Sequence, residues 1–180
     1  MEITPADDRG LPAEDRERLQ ALPAINIYRL LAIVPGALVP WTDLVAAIYS
    51  AQLDPRLREI AICRQARGAR AGYELHQHRL VAQNNGVTDY DLDAILREPV
   101  VQSLDEQANL VCRAADEIET AATLGDDTLR ALLDALGERR TTELILALSV
   151  YCAVARFTNA TRAHVEAGDP LSHLSNPGVH

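Results

Sequence analysis

The sequence predicts an all-α fold, a helical bundle of about eight helices, on three observations. Apolar residues recur at three- and four-residue spacing almost throughout the 180-residue chain. Alternating runs of β-branched residues, the signature of half-buried strands, are missing. Proline, glycine and asparagine fall at intervals that mark helix ends rather than hairpins. With 48% apolar and 24% charged residues, the chain has the material for a core, and a single domain of this size buries roughly 70% of its unfolded surface.

Each element follows from local chemistry. A first helix is expected from Ala13 to Leu22, ended by Pro23, and a second from Ile25 to Val34 before Pro35-Gly36 turns the chain. A third should occupy Pro40 to Ser50. Asp54-Pro55 supplies a capping carboxylate followed by a proline at the first helical position, opening a helix that runs to Gly68. A fifth covers Ala71 to Asn84 and stops at Asn85-Gly86, a pair suited to a left-handed C-terminal cap. Thr88 begins a short helix to Arg97. Beyond Pro99, Ser103 and Glu106 have the spacing of a capping box that opens a long helix to Ala122. Gly125-Asp126 starts another, closed by Gly137 after Leu136, and a last helix is expected from Thr142 to Ala167, ending at Gly168-Asp169-Pro170. Residues 1–170 thus read as one helical domain whose two halves meet near Pro99, and residues 171–180 as a frayed tail in which His173 and His180 carry no functional reading.

Charge narrows the partners. All 17 basic residues are arginine against 26 acidic ones, a net charge of -9, and an acidic surplus argues against binding nucleic acid or anionic lipid. The start has no basic region followed by an apolar stretch, so no secretory signal is visible and a cytoplasmic location is expected. The longest apolar run, Leu144 to Ala155 with Ser149 inside it, falls short of the roughly 18 residues of a spanning helix, so no membrane crossing is expected. Cys63, Cys112 and Cys152 are odd in number, widely spaced and flanked by apolar residues, which fits reduced core thiols.

On the helix after Asp54, Glu59 shares a face with Ile62, Cys63 and Ala66; on the next, Glu74 and His78 are four apart beside Ala71, Leu75, Val81 and Ala82. Burial raises a carboxyl pKa and lowers that of a histidine while their proximity does the opposite, so such a cluster can hold a proton near neutrality for acid and base catalysis. The plainer reading is a solvated i,i+4 pair for Glu74 and His78, and a surface partner of Arg56 or Arg58 for Glu59. A metal site from Glu59, Glu74 and His78 lacks a recognised ligand spacing. Further on, Arg156 follows a mostly apolar stretch, with Asn159 and Tyr151 nearby. Its guanidinium either clamps a substrate carboxylate or pairs with an acidic residue of a neighbouring helix or subunit. Trp41 and Phe157 read as packing residues.

From Leu53 to Val87, the run LDPRLREIAICRQARGARAGYELHQHRLVAQNNGV resembles the core of the carboxymuconolactone decarboxylase family, which includes alkylhydroperoxidases. NIYRLLAIVPGALVPW before it and TTELILALSVYCAVARFTNA after it resemble flanking helices of longer members, so the likeness spans most of residues 11 to 166. It implies an alkylhydroperoxidase-like helical bundle and a homo-oligomer, a trimer or a multiple of one. In the family's redox branch, a glutamate precedes a Cys-x-x-Cys pair and a histidine. Here the glutamate and histidine fall on Glu59 and His78, but Ala71 and Glu74 stand at the cysteine positions and Tyr73 lies between them. Because the thiolate is the nucleophile of thiol peroxidase chemistry, the redox activity does not carry over.

The resemblance then implies the non-redox branch: a cofactor-independent lyase, decarboxylating or isomerising a small unsaturated acid or lactone. His78, backed by Glu59, would be the proton donor, Tyr73 or a backbone amide the oxyanion partner, and Glu74 would orient the imidazole. Neither enolate stabilisation nor protonation of carbon requires a metal or organic cofactor. The competing expectations are a peroxiredoxin-like antioxidant oxidoreductase and a noncatalytic helical oligomer.

Overall fold

The computed structural model describes residues 2–168, 170 and 171. Among them there are eight α-helices and no strand: α1 (Ala13–Ala21), α2 (Asn26–Leu31), α3 (Leu38–Tyr49), α4 (Pro55–Gly68), α5 (Gly72–Asn84), α6 (Asp89–Arg97), α7 (Glu106–Ala121) and α8 (Asp126–Thr161), preceded by a single 3-10 turn at Asp8–Gly10. The expected helical bundle is present. The tail expected over 171–180, with His173 and His180, lies outside the described residues except for Leu171.

Several boundaries follow the predicted chemistry. The Asp54 carboxylate accepts from the Arg56 N–H with Pro55 at the first position of α4, and Thr88 with Asp91 closes a reciprocal capping box on α6. At α7 the cap differs from expectation. Asp105 caps the helix by accepting from the Ala108 N–H, while the Ser103 hydroxyl is engaged by Glu98. The side chain that wins is the one placed three residues before an unpaired amide. Gly137 (φ 78°, ψ 166°) breaks α8 into helical segments 126–136 and 138–161 that follow each other without a loop. That backbone region lies outside the reach of L side chains, so glycine is required there.

The largest difference lies at the C-terminal end. Instead of continuing to Ala167, α8 stops at Thr161 with Arg162 in the left-handed region (φ 57°). The Ala163 N–H reaches back to the Thr158 carbonyl, the six-to-one bond of a Schellman closure. Residues 162–168 are therefore free to turn back across the bundle.

Helix α4 is the axis of the molecule: residues 57–66 are all buried, because α5, α6, α7 and α8 pack around it on every side. This explains why it is not amphipathic in the usual way. One apolar cluster joins α4 to α6, α7 and the start of α8 through Ile60, Ile95, Val111, Leu132 and Leu144. A second joins Ile62 of α4 to Tyr28, Val45, Tyr73, Val81 and Tyr151. Arg64, wholly buried, bonds to Asp116 at 2.7 and 2.8 Å and to the carbonyls of Ile95, Glu98 and Pro99, tying the chain around Pro99 to the central helix. By length and composition α8 is apolar enough to span a bilayer, but half of its most apolar stretch is buried in the fold, as in the core helix of a bundle.

Candidate active site

The second cluster encloses a small cavity of about 50 Å³, walled by α2, α3, α5 and α8 and by Leu171. Its polar lining is Tyr49, Tyr73, Glu74, Gln77, His78 and Tyr151. A larger cleft of about 370 Å³ lies between α1 and α3, and its Glu14 and Glu17 are exposed, whereas the smaller space is lined by the buried titratable side chains Glu74 and His78.

Behind the cavity wall, Glu59 is completely buried and takes two bonds: Arg58 Nε donates to its Oε1 at 3.0 Å and His78 Nδ1 to its Oε2 at 2.8 Å. A carboxylate only accepts, so Nδ1 carries the hydrogen and Nε2 is the imidazole's remaining, reactive nitrogen. The ring is also gripped edge-on by Tyr151, with centroids 4.7 Å apart at 85°. Tyr151 shares a 3.0 Å hydrogen bond with Tyr49, over whose ring the Arg58 guanidinium stacks at 4.2 Å. Arg58 and Tyr49 are therefore supports of the dyad that the spacing of the sequence did not single out.

Glu74 takes a different position from the one expected. It does not orient the imidazole, a task held by Glu59. It is buried, and neither carboxyl oxygen has a hydrogen-bond partner. Burial, with the charge of Glu119 adding to it, pushes its pKa well above the ordinary 4.5, which favours the neutral acid. The solvated i,i+4 pair with His78 is not formed, since both residues face inward. Tyr73 lines the cavity too, but its hydroxyl is already committed: it donates to Glu166 at 2.7 Å and accepts from the Ile27 N–H at 3.2 Å.

The predicted substrate clamp divides. Tyr151 is in the cavity wall, whereas Arg156 and Asn159 are not. Arg156 is 62% exposed and sits 3.7 Å from Glu119, donating also to the Cys152 carbonyl, and Asn159 donates to the Ala69 carbonyl at 3.1 Å. The reason is angular: five residues at about 100° each turn Arg156 about 140° away from Tyr151. Trp41, read as packing, does pack, yet it also lines the cavity. Among the described residues no three His, Cys, Asp or Glu side chains converge as a metal site requires.

The three cysteines are free and buried, and none lines the cavity. Burial pushes the Cys63 thiol well above 9, Cys112 up to about 12 and Cys152 up to about 11, where the bond from Cys152 Sγ to Glu119 adds to the effect. All three are held in the unreactive thiol form at neutral pH.

Residues 35–117, which include Glu59, Tyr73, Glu74 and His78, match the model of the carboxymuconolactone decarboxylase family. No curated protein matches the chain. Among solved structures, that of an uncharacterized peroxidase-related protein from Silicibacter sp. TM1040 superposes with a TM-score of 0.79 at 16% identity, covering 94% of this chain and 93% of that one. The two proteins share a fold, the alkylhydroperoxidase-like helical bundle.

Proposed function

We propose that the chain is a lyase of the carboxymuconolactone decarboxylase type, in its non-redox form, which decarboxylates or isomerises a small unsaturated acid or lactone by proton transfer. The observation that supports this most is the pairing, on one apolar cavity, of a Glu59-held imidazole with a buried carboxyl group that has no hydrogen-bond partner. A neutral acid in an apolar pocket is a hydrogen-bond donor suited to developing negative charge.

In a decarboxylation the carbon–carbon bond to the carboxylate breaks, carbon dioxide leaves, and the electron pair passes to the conjugated carbonyl. Glu74 donates to the resulting enolate oxygen, replacing Tyr73 in the role first expected for it. His78, protonated at Nε2, delivers its proton to carbon and is recharged from water; Glu59 and Arg58 hold the ring through the cycle. In an isomerisation His78 removes and returns the proton, and no group is lost. No metal or organic cofactor enters either sequence.

The test is carboxymuconolactone turnover, followed by loss of ultraviolet absorbance and release of carbon dioxide. His78→Ala and Glu59→Gln should keep the helical circular dichroism of the parent and lose activity on the order of 10²- to 10⁴-fold; full activity in both would overturn the assignment. The description of the Silicibacter protein as peroxidase-related favours one competing reading, peroxide reduction. Replacing Cys63, Cys112 and Cys152 by alanine should leave turnover intact, whereas reduction of an alkyl hydroperoxide that disappears with the thiols would favour redox chemistry. Absence of both activities would favour the noncatalytic oligomer.

The remaining expectations stand as part of the same proposal: a cytoplasmic homo-oligomer, trimeric or a multiple of three, with no nucleic acid or membrane partner. Leu44, Leu129, Leu133 and Leu146 are exposed apolar side chains available to such an interface. Sedimentation giving a monomer at micromolar concentration would overturn the assembly.

A further inference from the structure

The segment that leaves α8 early ends up on the cavity. The Glu166 carboxylate there accepts from the Tyr73 hydroxyl at 2.7 Å, from Gln77 Nε2 at 2.6 Å and from the Asn26 backbone N–H. Tyr73 and Gln77 are themselves 6% and 4% exposed, and both line the cavity beside His78. Leu171, also buried, closes the wall.

All three groups direct hydrogens at the Glu166 carboxylate. Tyr73 already accepts from the Ile27 N–H, so its own hydrogen is directed at the carboxylate. Such a cradle discriminates for an anion with two oxygens and against a neutral amide of the same shape. Arg156, the candidate clamp in the sequence, pairs with Glu119 instead and does not line the cavity. The cavity of about 50 Å³ has room for a few waters only, and Glu166 already occupies the donors beside it, so an organic acid reaches them only if Glu166 gives way. The carboxylate that moves aside leaves behind the donors that fit another one.

We propose that the Tyr73 hydroxyl, the Gln77 amide and the Asn26 N–H form a binding site for the carboxylate of a small organic acid, and that Glu166 occupies it as a built-in surrogate until such an acid displaces residues 162–168. This rests on the proposed function for the acid's role as substrate, but not for its binding.

The experiment is a titration of the full chain with benzoate and, as the neutral counterpart, benzamide, read by calorimetry and by the fluorescence of Trp41, the one tryptophan of the sequence. Glu166→Ala removes the internal competitor and should tighten benzoate about tenfold or more. Glu166→Gln, which keeps the bulk and one acceptor, should tighten it less and serves if the alanine variant folds poorly. In the Glu166→Ala chain, Tyr73→Phe and Gln77→Ala should each weaken benzoate about fivefold while shifting benzamide less than about twofold. Benzoate binding no tighter without Glu166, or equal affinities for benzoate and benzamide, would overturn the proposal. Its failure is separable from that of the function: turnover that depends on His78 but shows no carboxylate preference removes only the cradle, and a carboxylate preference without turnover removes only the chemistry.

Discussion

Helices α4 and α8 each contribute to two polar clusters, and the clusters differ in how their acidic side chains are satisfied. On one side, Glu59 and Tyr151 frame His78 and the cavity; on the other, Gln65, Cys152 and Arg156 converge on Glu119. Glu119 Oε2 accepts from Gln65 at 2.8 Å and from Cys152 at 3.2 Å, and its cationic partner Arg156 is largely in solvent. Glu74, between the two groups, accepts from nothing. An acid that accepts from two donors and faces a cation is a structural tie, whereas a buried acid left without partners costs the fold stability.

The strongest way to break this comparison is at His78. Its truncation should lower turnover on the order of 10²- to 10⁴-fold, whereas a residual rate near that of the parent would make the two clusters equivalent. Next come opposite signs of stability. Glu74→Met removes an unpartnered buried carboxyl and should raise stability by about 1–3 kcal/mol in denaturant titration while abolishing turnover. Glu119→Leu strands the Gln65 amide and the Cys152 thiol and should lower stability by about 1–3 kcal/mol. Effects of the same sign would erase the distinction.

The pH dependence sharpens the same point. Because the Glu74 pKa is raised above its ordinary 4.5, the native chain keeps a proton that the unfolded chain releases. Its contribution is complete below about pH 4.5 and declines as pH rises toward the raised value. The melting temperature of Glu74→Met minus that of the parent should therefore widen between about pH 4.5 and pH 8; a constant difference would mean the carboxyl titrates normally. The smallest effects belong to the outer face. Arg156→Ala and Asn159→Ala should change kcat/KM less than about threefold and stability by no more than about 1 kcal/mol.

Much of the fold was legible because local signals agreed with it. Asp54-Pro55 opens α4 and Asn84 closes α5 where the sequence places them, and the pairing of Glu59 with His78 across two helices came from the resemblance. The spacing argument could not see that residues 57–66 would be buried all round, since helical periodicity assumes a wet side. That is why Arg58 read as a surface partner of Glu59 rather than as its buried donor. Of the two readings of Arg156, its position fits the ion pair with a neighbouring helix, for a reason available beforehand, its angular offset from Tyr151 along one helix. Glu166 was invisible: Ala163, Val165 and Ala167 prolong the look of a helix up to Gly168, and only the Schellman closure at Arg162 turns the chain back toward Gln77.

A helix with ten successive residues shielded from water cannot exist apart from what surrounds it. Isolated, α4 would place Arg58, Glu59, Arg64 and Gln65 in solvent together with every apolar group meant for its neighbours, with neither set stabilising it. Its backbone amides should therefore lose their hydrogens to deuterium only in the rare moments when the whole chain opens, while those of α1 and of residues 162–168 exchange through fraying. The His78 imidazole is thus held against a part of the protein that moves last.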